Sequence, residues 1–106
     1  MSGLLLLVLN FAAAPLPAST IFGDLRLGEK YVADVEVNLV CGPDSTSGKT
    51  DAEGSFRLTV KTGGKCQLTV HYDKQTPSVE VVAFDKPARY RLVLELKDGK
   101  YLLKRV

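Results

Sequence analysis

The sequence predicts an all-β fold, a two-sheet antiparallel sandwich of seven or eight strands. Three observations predict it: apolar residues recur at every second position in short runs, clusters of Gly, Pro, Asp and Ser separate those runs, and no window has a helical period. With 106 residues, 45% of them hydrophobic and 25% charged, the chain has the composition of one soluble globular domain. Wholesale disorder and a polytopic membrane protein are excluded on the same grounds.

The first charged side chain is Asp24, and Leu4 to Ala14 is a dense apolar run closed by Pro15 and Pro17. Such a run is too short to span a bilayer but has the length of a signal-peptide core, with small residues following it. Residues 1–18 therefore read as an export signal, cleaved after Ala18 or Ser19, and residues 19–106 as the mature domain. The competing readings are an N-terminal strand with its linker, or a retained anchor. A membrane contact is expected only if this segment stays uncleaved.

Thr20 to Leu27 is the first expected strand, broken at Gly28-Glu29-Lys30, with Tyr31, Val32 and Ala33 leading into the second. There Val35, Val37, Leu39 and Cys41 alternate with Glu36, Asn38 and Val40, so one face is buried and the other wet. Gly42-Pro43-Asp44-Ser45 ends that strand, and Ser47 to Thr50 reads as a short edge strand. Asp51-Ala52-Glu53-Gly54 is a tight turn, after which Phe56, Leu58 and Val60 point one way.

Gly63-Gly64 makes the next turn. Cys66, Leu68, Val70 and Tyr72 then share one phase, and Val79 to Phe84 forms a further strand. Tyr90, Leu92, Leu94 and Leu96 make the clearest core stripe. Asp98-Gly99 is a two-residue turn of the I′ class, which folds Lys100 to Val106 back as a terminal hairpin strand. A single open sheet of so many strands would leave an apolar face wet, so two packed sheets follow.

Cys41 and Cys66 both fall on the inward phase of their strands. Paired, they would close a loop worth about 3.5 kcal/mol in the chain-entropy model and favour an oxidising, secreted or periplasmic location. Unpaired, they would pack as small hydrophobes. They are too few, with a single histidine, to build a tetrahedral zinc site.

From Gly23 to about Leu96 the chain resembles the carboxypeptidase regulatory-like domain family, whose fold is a transthyretin-like Greek-key β-sandwich. The residues that carry the likeness are Val32-Ala33-Asp34-Val35-Glu36-Val37, Thr50-Asp51-Ala52-Glu53-Gly54-Ser55-Phe56, and Cys66-Gln67-Leu68-Thr69-Val70-His71-Tyr72. They match stretches of the form basic-Ala-Gly-Val-x-Val, Thr-Asp-x-x-Gly-x-Phe and Tyr-x-Leu-x-Val-x-Tyr. Cys66 replaces the common aromatic, and Asp34 replaces a frequent glycine, so the turn before the second strand is expected to differ. These motifs define a fold and carry no chemistry.

Candidate reactive groups are weak. Gly48-Lys49-Thr50 imitates a phosphate loop, but the glycine spacing is wrong and a turn, not a helix, follows. Asp44, Asp51 and Glu53 have no calcium-loop spacing and read as turn formers. His71 lies on an outward phase, without the several histidines, the arginine and the C-terminal Tyr-Arg-Gly-Ser of transthyretin-like hydroxyisourate hydrolases. Asn38, the only asparagine of the mature chain, is also outward, against an isopeptide cross-link. Tyr31, Tyr72, Tyr90 and Tyr101 are scattered, as core or rim residues.

The net charge of +2 is interspersed along the chain. The nearest thing to a basic patch is Lys97, Lys100, Lys104 and Arg105, so no nucleic-acid partner is expected. The sequence thus points to an exported, non-catalytic module with no cofactor and no metal. It would meet a protein partner through loops or an edge strand, Ser47 to Thr50 or Lys100 to Val106. The alternative is a dimerising carrier of a small apolar ligand, to which Val40, Val82 and Val93 would contribute.

Overall fold

The computed structural model describes residues 18–106, and the regular structure within them is entirely β-strand. The strands are β1 (Ser19–Leu27), β2 (Lys30–Tyr31), β3 (Glu36–Cys41), β4 (Asp44–Lys49), β5 (Ser55–Val60), β6 (Gly64–His71), β7 (Ser78–Ala83), β8 (Ala88–Lys97) and β9 (Lys100–Arg105). The ninth strand, beyond the eight expected, is the two-residue β2. The expected leader lies outside the described residues except for Ala18, which is exposed and directly precedes β1.

One sheet is centred on β1, which pairs with β8 on one side and with β5 and then β2 on the other, while β9 extends the sheet beyond β8. The second sheet runs β4-β3-β6-β7. Every pairing is antiparallel except β1 with β8, which is parallel. Most of the chain lies between those two strands, so no hairpin dictates their direction.

The core lies between the sheets, where period-two alternation becomes burial. Ile21, Leu25, Val37, Leu39, Leu68, Val70, Val81, Leu92 and Leu94 are essentially inaccessible to solvent. Phe56, planted by the turn at Gly54, is buried with them. Leu96 departs from the expected stripe and is 60% exposed. The pairing of β8 with β1 ends at Leu94, so beyond it only β9 flanks the strand.

Two hairpin turns explain local sequence. Asp98 and Gly99 both take positive φ (51° and 80°), the I′ conformation. Gly42 takes φ 60° ahead of Pro43, which cannot follow it there, the II′ arrangement; β4 accordingly starts at Asp44, earlier than the sequence suggests. Asp34 adopts φ 58°, the left-handed backbone a glycine would take. Asp34, a short polar residue, is one of the side chains that tolerate this region.

Cys41 and Cys66 form a disulfide. They sit one step beyond the Val40–Gln67 pair of β3 and β6, so the bond joins neighbouring strands of one sheet, and both cysteines face the core. Thr50 is the main buried polar residue at the opposite end. Its hydroxyl accepts from the Val35 N–H at 3.0 Å and donates to the Val32 carbonyl at 2.7 Å, while its backbone pairs with Asp34 and Val35. One side chain thus ties the segment entering β3 to the end of β4.

Thr50→Val keeps the shape but leaves a buried donor and acceptor unpaired. It should cost about 2 kcal/mol and lower the melting temperature by on the order of 10 °C, with Thr50→Ser much closer to the parent. An unchanged melting curve for the valine variant would refute this role. For the disulfide, the Cys41→Ala/Cys66→Ala protein should lose about 3.5 kcal/mol in urea unfolding relative to the oxidised parent.

Candidate functional site

In a sheet the backbone groups of successive residues point to opposite sides, so an edge strand offers the N–H and C=O of every second residue to an incoming chain. Three of the four long edge strands of this sandwich carry a cap. On β7, the Tyr90 hydroxyl accepts from the Val82 N–H at 2.9 Å and donates to the Val82 carbonyl at 3.0 Å. Tyr90 belongs to β8 in the facing sheet, so its phenol crosses the sandwich to close the neighbouring edge.

The cap on β9 is reciprocal. Gln75, between β6 and β7, donates from Nε2 to the Gly99 carbonyl at 2.9 Å and accepts at Oε1 from the Tyr101 N–H at 2.8 Å. Its amide thus imitates a short length of strand. Asp73 and Lys74 hold it there in a two-residue turn with both φ values positive (50° and 62°), closed by the paired backbones of Tyr72 and Gln75. At the start of β5, the Asp51 backbone N–H donates to the Ser55 carbonyl, and the Asp51 carboxylate accepts from the Ser55 N–H.

The remaining edge is β4. Thr50 faces β3 through its backbone, so by alternation Asp44, Thr46 and Gly48 face it too, and Ser45, Ser47 and Lys49 turn their backbones outward. Those three have no cap among the described residues, and all three are exposed. Their outer-face neighbours on β3 are Val40, Asn38 and Glu36. A shallow depression lined by Asn38, Val40, Ser45, Thr46 and Ser47 runs beside the edge. Of the two edges expected from sequence, then, both are edges, and β9 is partly capped. Gln75 and Tyr90 went unnoticed as edge caps because neither stands in a recognisable motif.

The chemistry-bearing side chains do not converge. Asp44 opens β4 and Asp51 follows its end, and one Asp51 oxygen accepts from both Glu53 and Ser55 N–H in its own turn. Among the described residues no three His, Cys, Asp or Glu side chains group as metal ligands. Lys49 is on the edge and Thr50 is buried in the stitch described above, so neither forms a phosphate loop.

His71 lies on the outer face, where the Asn38 amide donates to Nε2 at 2.6 Å and Glu36 Oε2 stands 3.4 Å from the same nitrogen. The Tyr101 hydroxyl, raised above its ordinary pKa by burial and then by Asp73 and Tyr72, stays protonated at neutral pH.

Tyr90→Phe removes only the hydroxyl cap of β7. It should cost about 1–2 kcal/mol and expose a pairing site, so sedimentation should report stronger concentration-dependent association than the parent shows. A strictly unchanged variant would show that the cap protects nothing. No protein-family model matches the chain, and no curated protein matches it.

Proposed function

We propose that this chain is an exported, non-catalytic module of the carboxypeptidase regulatory-like kind that binds a protein partner by taking an extended segment of it onto β4. The single observation that carries the reading is the asymmetry of the edges: β7, β9 and β5 each have one outward position closed, at Val82, Tyr101 and Ser55, whereas no outward position of β4 is closed among the described residues. Main-chain pairing along such an edge supplies affinity, and the side chains beside it supply selectivity. Lys49 is the only charge among the outward residues of β4, so the edge is weakly defended against pairing.

Three further features support the family and compartment. The stretch Thr50 to Phe56 works as one built unit, with Thr50 and Phe56 buried, Asp51 closing the turn and Gly54 packed where a Cβ would meet the Leu25 carbonyl at 2.9 Å. The intact disulfide suits an oxidising compartment. The apolar run Leu4 to Ala14 suits an export signal. Strand addition is preferred to the carrier reading because Val40 and Val82 lie on the outer face of one sheet and Val93 on that of the other, and so do not make one apolar surface.

Ser47→Pro tests this directly. Its N–H points away from β3, so proline removes one edge donor and leaves the β3 ladder intact. Against ten-residue peptides selected on the parent domain, the variant should bind at least about tenfold more weakly with little change in melting temperature, as loss of a pairing site predicts. Retained affinity, or peptide-induced protection from hydrogen exchange that misses Ser45, Ser47 and Lys49, would overturn it.

A further inference from the structure

Charges that look interspersed along the sequence segregate once the strands are paired. The outward residues of the β1 sheet form rows across the strands: Arg57–Phe22–Arg89, Ser55–Asp24–Arg91, and Arg26–Val93–Lys104. The side-chain contacts confirm the shared face. Arg57 lies over the Phe22 ring at 5.7 Å, Arg89 is 3.8 Å from Asp24, and Lys104 is 3.0 Å from Glu95. Four of the chain's five arginines stand here with Lys104, against Asp24, Glu95 and, at the rim beside Asp24 and Ser55, Glu53. Arg57 and Arg91 have no acidic partner within ion-pair distance among the described residues.

We infer that this face binds an extended anionic polysaccharide. Residues two apart on a strand are roughly 6.6 Å apart and residues on alternate strands roughly 9.6 Å, so the cations form a regular two-dimensional comb. A polymer that repeats its sulfate or carboxylate from sugar to sugar can engage several teeth at once. Guanidinium forks suit such oxyanions better than ammonium groups do, because they bind them bidentately. Single-stranded nucleic acid is disfavoured, since it needs a series of free aromatic platforms for its bases, whereas Phe22 is half-buried beneath Arg57 and leaves Tyr31, beside Arg26, as the one exposed ring among the described residues of this face. This surface is a sheet face distinct from the β4 edge, and its existence does not depend on strand addition.

The test titrates the disulfide-bonded domain, residues 19–106 or the chain as isolated, with a size-defined, fully sulfated heparin-type oligosaccharide at physiological salt. Arg57→Gln/Arg89→Gln/Arg91→Gln, all exposed positions, should weaken binding at least about tenfold, and the matching Arg→Lys triple should lose part of it despite unchanged charge. Lys61→Gln/Lys65→Gln/Lys74→Gln removes the same charge elsewhere and should change affinity less than about threefold. Equal loss in both glutamine triples would reduce the effect to net charge and overturn the site. So would absence of binding by the parent, or tighter binding of a length-matched single-stranded DNA or of anionic phospholipid vesicles.

Discussion

The close approach of β1 and β8 at Gly23 is the contact on which the rest of this architecture depends. A Cβ built at Gly23 would lie 1.7 Å from the Tyr90 carbonyl oxygen, so only glycine allows the two strands to meet in this parallel register. That register fixes Gly23 opposite Tyr90 and sends the phenol inward and across to Val82. The same register sets Phe22 beside Arg89 and Asp24 beside Arg91 on the other face. One backbone contact thereby places both the cap of the β7 edge and the cationic rows outside.

The caps show how a small sandwich handles its exposed ladders. Most β-proteins blunt edges with charges, prolines or bulges. Here each sheet lends the other a polar side chain, Tyr90 from the β1 sheet to β7 and Gln75 from the β3 sheet to β9. Both donors act on the same side of the molecule, where β7 and β9 face one another. The opposite side has no such exchange for β4, whose outward residues are two serines and a lysine. A fold that caps one flank twice across its sheets, and on the other closes only the start of β5 and leaves β4 bare, is asymmetric in what it can recruit.

Much of this was legible in the sequence, and the reason is local. Alternation marks the buried face of β3, β5 and β6, Asp98-Gly99 marks its hairpin, and the shared inward phase of Cys41 and Cys66 anticipates their bond. What could not be read depends on pairing between distant strands. Nothing near Ser19 to Leu27 announces a parallel partner at Ala88 to Lys97, and so the segregation of Arg26, Arg57, Arg89 and Arg91 stays hidden. The Asp73-Lys74 turn lacks the glycine that usually signals its conformation, which concealed the placement of Gln75. Leu96 continued a sound pattern past the point where β1 stops covering it.

Edge and face also differ in the physics by which they would hold a ligand, and that difference separates their roles. Pairing at β4 rests on directional backbone hydrogen bonds and is only weakly sensitive to salt. Attachment at the arginine face rests on exposed charges and weakens as salt shortens the Debye length from about 10 Å at 0.1 M. The two surfaces share no residue, so occupation of one does not sterically require the other to be empty. A module built this way can hold a polymer loosely on one sheet while a protein segment extends the other, and the core between them, stitched by Thr50 and the disulfide, keeps the two at a fixed separation.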